Sequence, residues 1–142
     1  MPTIATIGVY EFDAASFVRA LDAAGVTKVM DIRQRRGVRG SEYAWANARR
    51  LQAVLADAHI GYEYHPELAP EYIRAYTEEI LDVAPLEPLV RQLPVHGIGA
   101  LLCVEAAAEA CHRSLVALRL ADRFGFDVVN LEPTEPTDSD LR

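Results

Sequence analysis

Five short stretches rich in apolar and β-branched residues alternate along the chain with segments of helical period, and this alternation narrows the fold more than any other feature. The stretches are Thr3–Val9, Thr27–Ile32, Ile60–His65, Ile98–Val104 and Asp127–Leu131. Between the first two, Asp13 stands where a helix cap would. Ala14, Phe17, Val18 and Leu21 follow at helical spacing, and Gly25 ends the run. Ser41 reads as the cap of a second helix, with Ala44, Ala48, Leu51, Leu55 and Ala58 on one face. Pro70 opens a third, carrying Tyr72, Ile73, Tyr76 and Ile80, and Pro85 and Pro88 break it and open a short fourth with Leu89, Val90 and Leu93. Glu109–Phe124 is the last helix, stopped by Gly125. Strand–helix alternation of this kind predicts an α/β fold of three layers, a mainly parallel five-stranded sheet with helices on both faces. The continuously apolar Ile98–Val104 belongs in its centre, buried on both sides. Residues 1–132 form one predicted domain, and 133–142 an acidic tail expected to be flexible.

Composition agrees with a self-sufficient core. Of 142 residues, 51% are apolar and 25% charged, which excludes disordered and collagen-like chains. No apolar run reaches the length of a membrane span. No basic region precedes a long apolar one at the start, so no secretory signal is read, and two cysteines suggest reduced thiols in a cytoplasm. The formal net charge of −7 argues against a protein that coats DNA with its whole surface. Its distribution says more. Arg33, Arg35, Arg36, Arg39, Arg49 and Arg50 fall within 18 residues opposed only by Glu42, a local +5 on a body of −12. Such a patch suits either one anion site or a solvated arginine-rich face.

Ligands of parallel sheets bind beyond the carboxyl ends of the strands. The residues expected there are Tyr10, Asp31 with Arg33, His65, and Cys103 with Glu105, and the helix after the fourth strand begins near Cys111, His112 and Arg113. At a helix start, free N–H groups and the macrodipole favour an anion, and Arg113 adds a fork for phosphate or carboxylate. A thiol beside such positive groups gains thiolate character. Three readings stay open: Cys103 or Cys111 as nucleophile with His112 as base, a metal held by Cys103, Glu105, Cys111 and His112, or a plain core cysteine with His112 packing. The metal reading matches no standard zinc spacing, so no metal or other cofactor is assigned. Asp31 either orients Arg33 and takes a proton or forms a buried pair that fixes the following loop. Aromatic residues beside arginines can stack a base, and Tyr10, Tyr43, Trp45, Tyr62, Tyr64, Tyr72 and Tyr76 form such a group, although most belong to the core at these spacings. His65 reads as a loop hydrogen bond more readily than as a base.

A cysteine at a strand end before a helix is also similar to the loop of rhodaneses and thiol phosphatases. Those loops place an arginine six residues after the cysteine. Position 109 here is Glu and the loop lacks glycine, so their mechanism is not carried over. Together, Thr6-Ile7-Gly8, Asp31-Ile32-Arg33, Leu102-Cys103-Val104-Glu105 and Cys111-His112-Arg113-Ser114 resemble the domain-of-unknown-function family 488, over roughly Thr3 to Leu131. The arginine-rich turn and helix of Arg36–Leu55 resemble that family as well. The resemblance implies a compact α/β domain with a shared polar site and assigns no reaction. Many members carry His-Ser where this chain has Val9-Tyr10, and commonly Pro in the turn where Gly37 stands.

The expectation is therefore a small domain with one cleft for an anionic ligand, a nucleotide or nucleic-acid end. Arg33, Arg36, Arg39 and Arg113 are its expected anion-binding groups, and Asp31, Cys103, Glu105 and His112 its expected reactive or polarising ones. The alternatives are a non-catalytic module that docks an acidic partner, and a metal or redox site on the cysteines. No membrane partner is expected, and the sequence leaves the oligomeric state open.

Overall fold

The computed structural model describes residues 3–10, 12–33, 40–65, 86–94, 96–103 and 113–133. Its strands are β1 (Thr3–Ile7), β2 (Val26–Asp31), β3 (Gly61–Tyr64), β4 (Ile98–Leu102) and β5 (Asp127–Leu131), joined in one sheet of order β3-β2-β4-β1-β5. Every neighbouring pair is parallel. The described helices are α1 (Ala14–Ala23), a 3₁₀ helix (Ser41–Ala46), α2 (Ala48–Asp57), α3 (Glu87–Arg91) and α4 (Arg113–Phe124). The expected three-layer α/β arrangement is what the chain adopts.

The two faces of the sheet carry separate apolar clusters. Ala5, Ile7, Val29, Ala100 and Leu102 pack with Phe17 and Leu21 of α1 and Leu51 and Leu55 of α2. Ile4, Met30 and Leu101 pack on the opposite face with Leu86, Leu89, Val116 and Leu120. The strand alternation of period two accounts for the split, since residues one apart point to opposite faces. Connections that run toward β3 cover the first face and those that run toward β5 the second, as right-handed crossovers require.

Local chemistry sets the element ends. Asp13 caps α1 by accepting from the Ser16 N–H at 2.7 Å, while the Asp13 N–H donates to Ser16 Oγ, a reciprocal capping box. Gly97 meets a sharper requirement. Its φ is +78°, and a Cβ there would lie 2.2 Å from the Thr27 side chain and 2.8 Å from the Gly25 carbonyl oxygen, so only glycine fits the approach to β4.

The second helix departs from expectation. Ser41 does not cap one continuous helix. Ser41–Ala46 is 3₁₀, Asn47 takes extended backbone at φ −67° and ψ 146°, and α2 begins afresh at Ala48. The break has a use: it turns the carbonyl of Ala46 toward the end of β2, where Arg33 claims it. The helix expected from Pro70 and the first residues of the helix expected from Glu109 lie outside the described residues.

On the face of α3, Glu63 links the edge strand to its neighbour. Its Oε2 pairs with Lys28 Nζ at 2.5 Å, and its Oε1 lies 2.8 Å from His65 Nε2, where the imidazole N–H can donate. Partial burial pushes the Glu63 carboxyl upward, but the Lys28 hydrogen bond and then the His65 contact outweigh it and hold the group below its ordinary 4.5. A depressed carboxyl contributes stability above its unfolded pKa and loses it as pH falls through the folded one. Glu63→Gln is therefore expected to cost about 0.5–1 kcal/mol at pH 7, with the deficit shrinking as pH falls below 4.5. Urea unfolding of both proteins at pH 7, 5 and 3.5 checks this.

Candidate functional site at the strand carboxyl ends

The carboxyl ends of β1, β2 and β4 meet where the chain's connections part to opposite faces. β1 and β2 lead to the face of α1 and α2, whereas β4, which lies between them, leads to the face of α4. A parallel sheet opens a crevice at such a point. The ladder runs one residue past the strands, with the Ile32 N–H donating to Leu102 O, the Cys103 N–H to Ile7 O and the His65 N–H to Asp31 O. That places Gly8, Cys103, Ile32 and His65 in one row across the carboxyl end of the sheet. At about 4.8 Å per strand, the Cα atoms of His65 and Cys103 stand roughly 10 Å apart.

Asp31 and Arg33 form the most buried polar feature of this edge. Asp31 is fully buried and Arg33 is 1% exposed. Arg33 Nε donates to Asp31 Oδ1 and Nη2 to Asp31 Oδ2, both at 2.9 Å. This is the two-pronged geometry that suits guanidinium to carboxylate. Nη1 donates to the Ala46 carbonyl oxygen at 2.9 Å. Asp31 also accepts from the Arg33 backbone N–H and, at 2.5 Å, from the Tyr62 hydroxyl. A buried ion pair survives the loss of hydration only when its remaining valences are met, and here they are.

The expected site residues are distributed as follows. The Asp31–Arg33 pair fixes the loop end, and its guanidinium is committed inside the protein through Nε, Nη1 and Nη2. Arg36, Arg39, Glu105 and His112 lie outside the described residues. Arg113 is the first residue of α4, whose start faces the crevice side of the sheet, and its side chain lies outside the described part. Arg49 and Arg50 are exposed in the first turn of α2. Cys103 is 4% exposed and disulfide-bonded. This corrects the expectation of reduced thiols: no described cysteine is free. The chain's other cysteine, Cys111, lies outside the described residues. Only a thiolate attacks, so Cys103 can act as a nucleophile in the reduced protein alone. No group of three or more metal-ligating side chains occurs among the described residues.

The sequence reading names Tyr62 among the aromatics but pairs neither Tyr62 with Asp31 nor Glu63 with His65. Tyr62 could have been found by pairing the predicted second and third strands in parallel, since its position then shares a face with Asp31. On the α1 side, Tyr10 and Tyr43 make a tilted ring contact, with centroids 5.1 Å apart and planes at 59°. Trp45 packs on Phe17 at 4.9 Å.

Removing one member of a buried, hydrogen-bonded ion pair strands the other. Arg33→Met is expected to cost about 3–5 kcal/mol. Asp31→Asn introduced into that variant is expected to cost far less than in the parent, because the stranded carboxylate is gone. Urea unfolding of the two single variants and the double variant measures the coupling.

No curated protein and no solved structure matches the chain significantly. A family model does, over residues 13–120, from just before α1 into α4. The match is shorter at both ends than the resemblance read from the motifs, and it takes in the Asp31–Arg33 pair, the arginine-rich turn, Cys103 and Arg113. Spanning well over half of the chain, it makes this protein a member of the DUF488 family, a domain of unknown function.

Proposed function

We propose that the crevice at the strand carboxyl ends binds an anionic ligand, a nucleotide or the end of a nucleic acid. The observation that carries this reading is the Asp31–Arg33–Ala46 clasp. It spends a buried guanidinium on tying Ala46 of the 3₁₀ helix to the end of β2, so the described chain on either side of the arginine-rich segment is joined at a switch point of the sheet. In this reading Arg36, Arg39 and Arg113 contact the anion. Arg33 and Asp31 serve by position, and Cys103, Glu105 and His112 are the polarising or reactive groups. Arg49 and Arg50 raise the local potential.

Thermal unfolding with phosphate, pyrophosphate, mononucleotides and zinc tests the proposal. A ligand of the native state raises the midpoint with the logarithm of its concentration over Kd. A rise with a phosphate-bearing ligand that is lost in Arg113→Glu, with the ligand-free midpoint little changed, is the expected result. A rise that persists in Arg113→Glu removes that residue from the site. No rise with any of them favours a module that docks an acidic partner.

The disulfide at Cys103 supports a second reading, a redox-active pair beside the crevice. Its reduction would be an exchange in which an external thiolate attacks one sulfur and the other leaves as thiolate. Thiol titration of the unfolded protein after equilibration in thiol–disulfide buffers of graded potential decides it. Half-reduction near cytosolic potentials, about −220 to −300 mV, fits a working pair. A bond still intact below that range is structural.

A further inference from the structure

α1 and α2 cover the same face of the sheet, and an open groove runs between them. Ala14, Ala15, Val18 and Arg19 form its α1 wall, and Val54 and Asp57 its α2 wall. Four of these six side chains are small or apolar, and one charge of each sign stands on opposite walls. Arg19 and Asp57 are both exposed, and among the described residues neither enters an ion pair. The other charges of the two helices are exposed as well: Asp13 and Asp22 with Arg19 on α1 and its cap, and Arg49 and Arg50 with Asp57 on α2. The α1 side thus presents two acids and one base, and the α2 side two bases and one acid. A surface whose two halves carry opposite net charge is complementary to a turned copy of itself.

We infer that this groove docks a second copy of the chain, related by a twofold axis that runs along the groove. Such an axis lays α1 of one copy on α2 of the other and keeps the direction along the groove. The two helices run in the same direction, because each leads from one strand of a wholly parallel sheet to the next on the same face. Arg19 of each copy then faces Asp57 of the other. Asp13 stands six residues before Arg19, and Arg50 seven before Asp57. At 1.5 Å per residue these offsets are about 9 and 10.5 Å, so the same operation brings Asp13 level with Arg50. Arg50, Val54 and Asp57 fall at i, i+4 and i+7 and share one stripe of α2. An axis across the groove would instead lay α1 on α1 and set Arg19 against Arg19, so charge selects the first arrangement. Burial of Val18, Val54 and the alanines supplies the attraction, and the exposed ion pairs set the register more than the strength. The inference does not depend on the anion-site reading.

Sedimentation equilibrium of the full chain tests the inference, from about 1 μM to about 1 mM protein at low salt. The parent protein, Arg19→Asp, Asp57→Arg and the double charge swap are compared. Both positions are exposed, so the variants are expected to fold, and their thermal midpoints establish that they do. The parent is expected to form a reversible dimer. Each single reversal is expected to raise the dimer Kd about tenfold, because the twofold axis applies it at two contacts. The double swap rebuilds both pairs with their signs exchanged, and its Kd is expected to return to within about threefold of the parent value. A parent protein that stays monomeric over the whole range overturns the inference. A dimer whose Kd neither single reversal alters also overturns it, since the contact then lies elsewhere. A double swap no tighter than the single variants overturns it too, because Arg19 and Asp57 then do not face each other.

Discussion

A buried guanidinium held by its near neighbour in sequence organises the working edge of this protein. Asp31 and Arg33 are two residues apart, yet their pairing joins three elements: β2 through Asp31, β3 through Tyr62, and the 3₁₀ helix through Ala46. Two charges withdrawn from water are tolerable only with this degree of hydrogen bonding. The pair therefore adds less to net stability than to the uniqueness of one arrangement, because any other position of the 3₁₀ helix leaves the guanidinium short of an acceptor. Tyr62 and the 3₁₀ helix take their places from it.

The two apolar clusters provide the rigid base for this edge. Each face of the sheet is packed independently, and β4 sits between β2 and β1 with Ala100, Leu101 and Leu102 fully buried. Glycines at 97 and 99 let the chain enter β4 close to Thr27 and beneath Leu93. Rigid strands fix the row Gly8, Cys103, Ile32 and His65 to sheet spacing. Variation is left to the loops, the usual division of labour in parallel α/β domains.

Much of this was legible in the sequence, and for a definite reason. Period-two and period-3.6 patterns report directly on which face is buried, so five strands and the α/β class could be read from apolar spacing, β5 to the residue. Asp13 was legible as a cap because capping is local chemistry. The break at Asn47 was not, since Ala44, Ala48, Leu51 and Leu55 keep helical spacing straight through it. The reason for the break lies in a carbonyl required by Arg33 from across the fold. Asp31-Ile32-Arg33 showed a pair but not its third and fourth partners, which come from residues 13 and 31 positions away. The oxidation state of Cys103 has no signature in composition at all, because two cysteines fit a reduced or an oxidised chain equally well.

One edge of the sheet divides its polar groups between scaffold and surface. Arg33 illustrates the division. In sequence it is one of six similar arginines, and in the fold it is 1% exposed, whereas Arg49 and Arg50 are exposed. A guanidinium spent on the scaffold holds the 3₁₀ helix against the end of β2. The same tie bears on Tyr43, which sits on the short 3₁₀ helix whose far end Arg33 holds, and meets Tyr10 from beyond the end of β1. One buried pair thus sets the positions of groups that the local sequence around each of them leaves free.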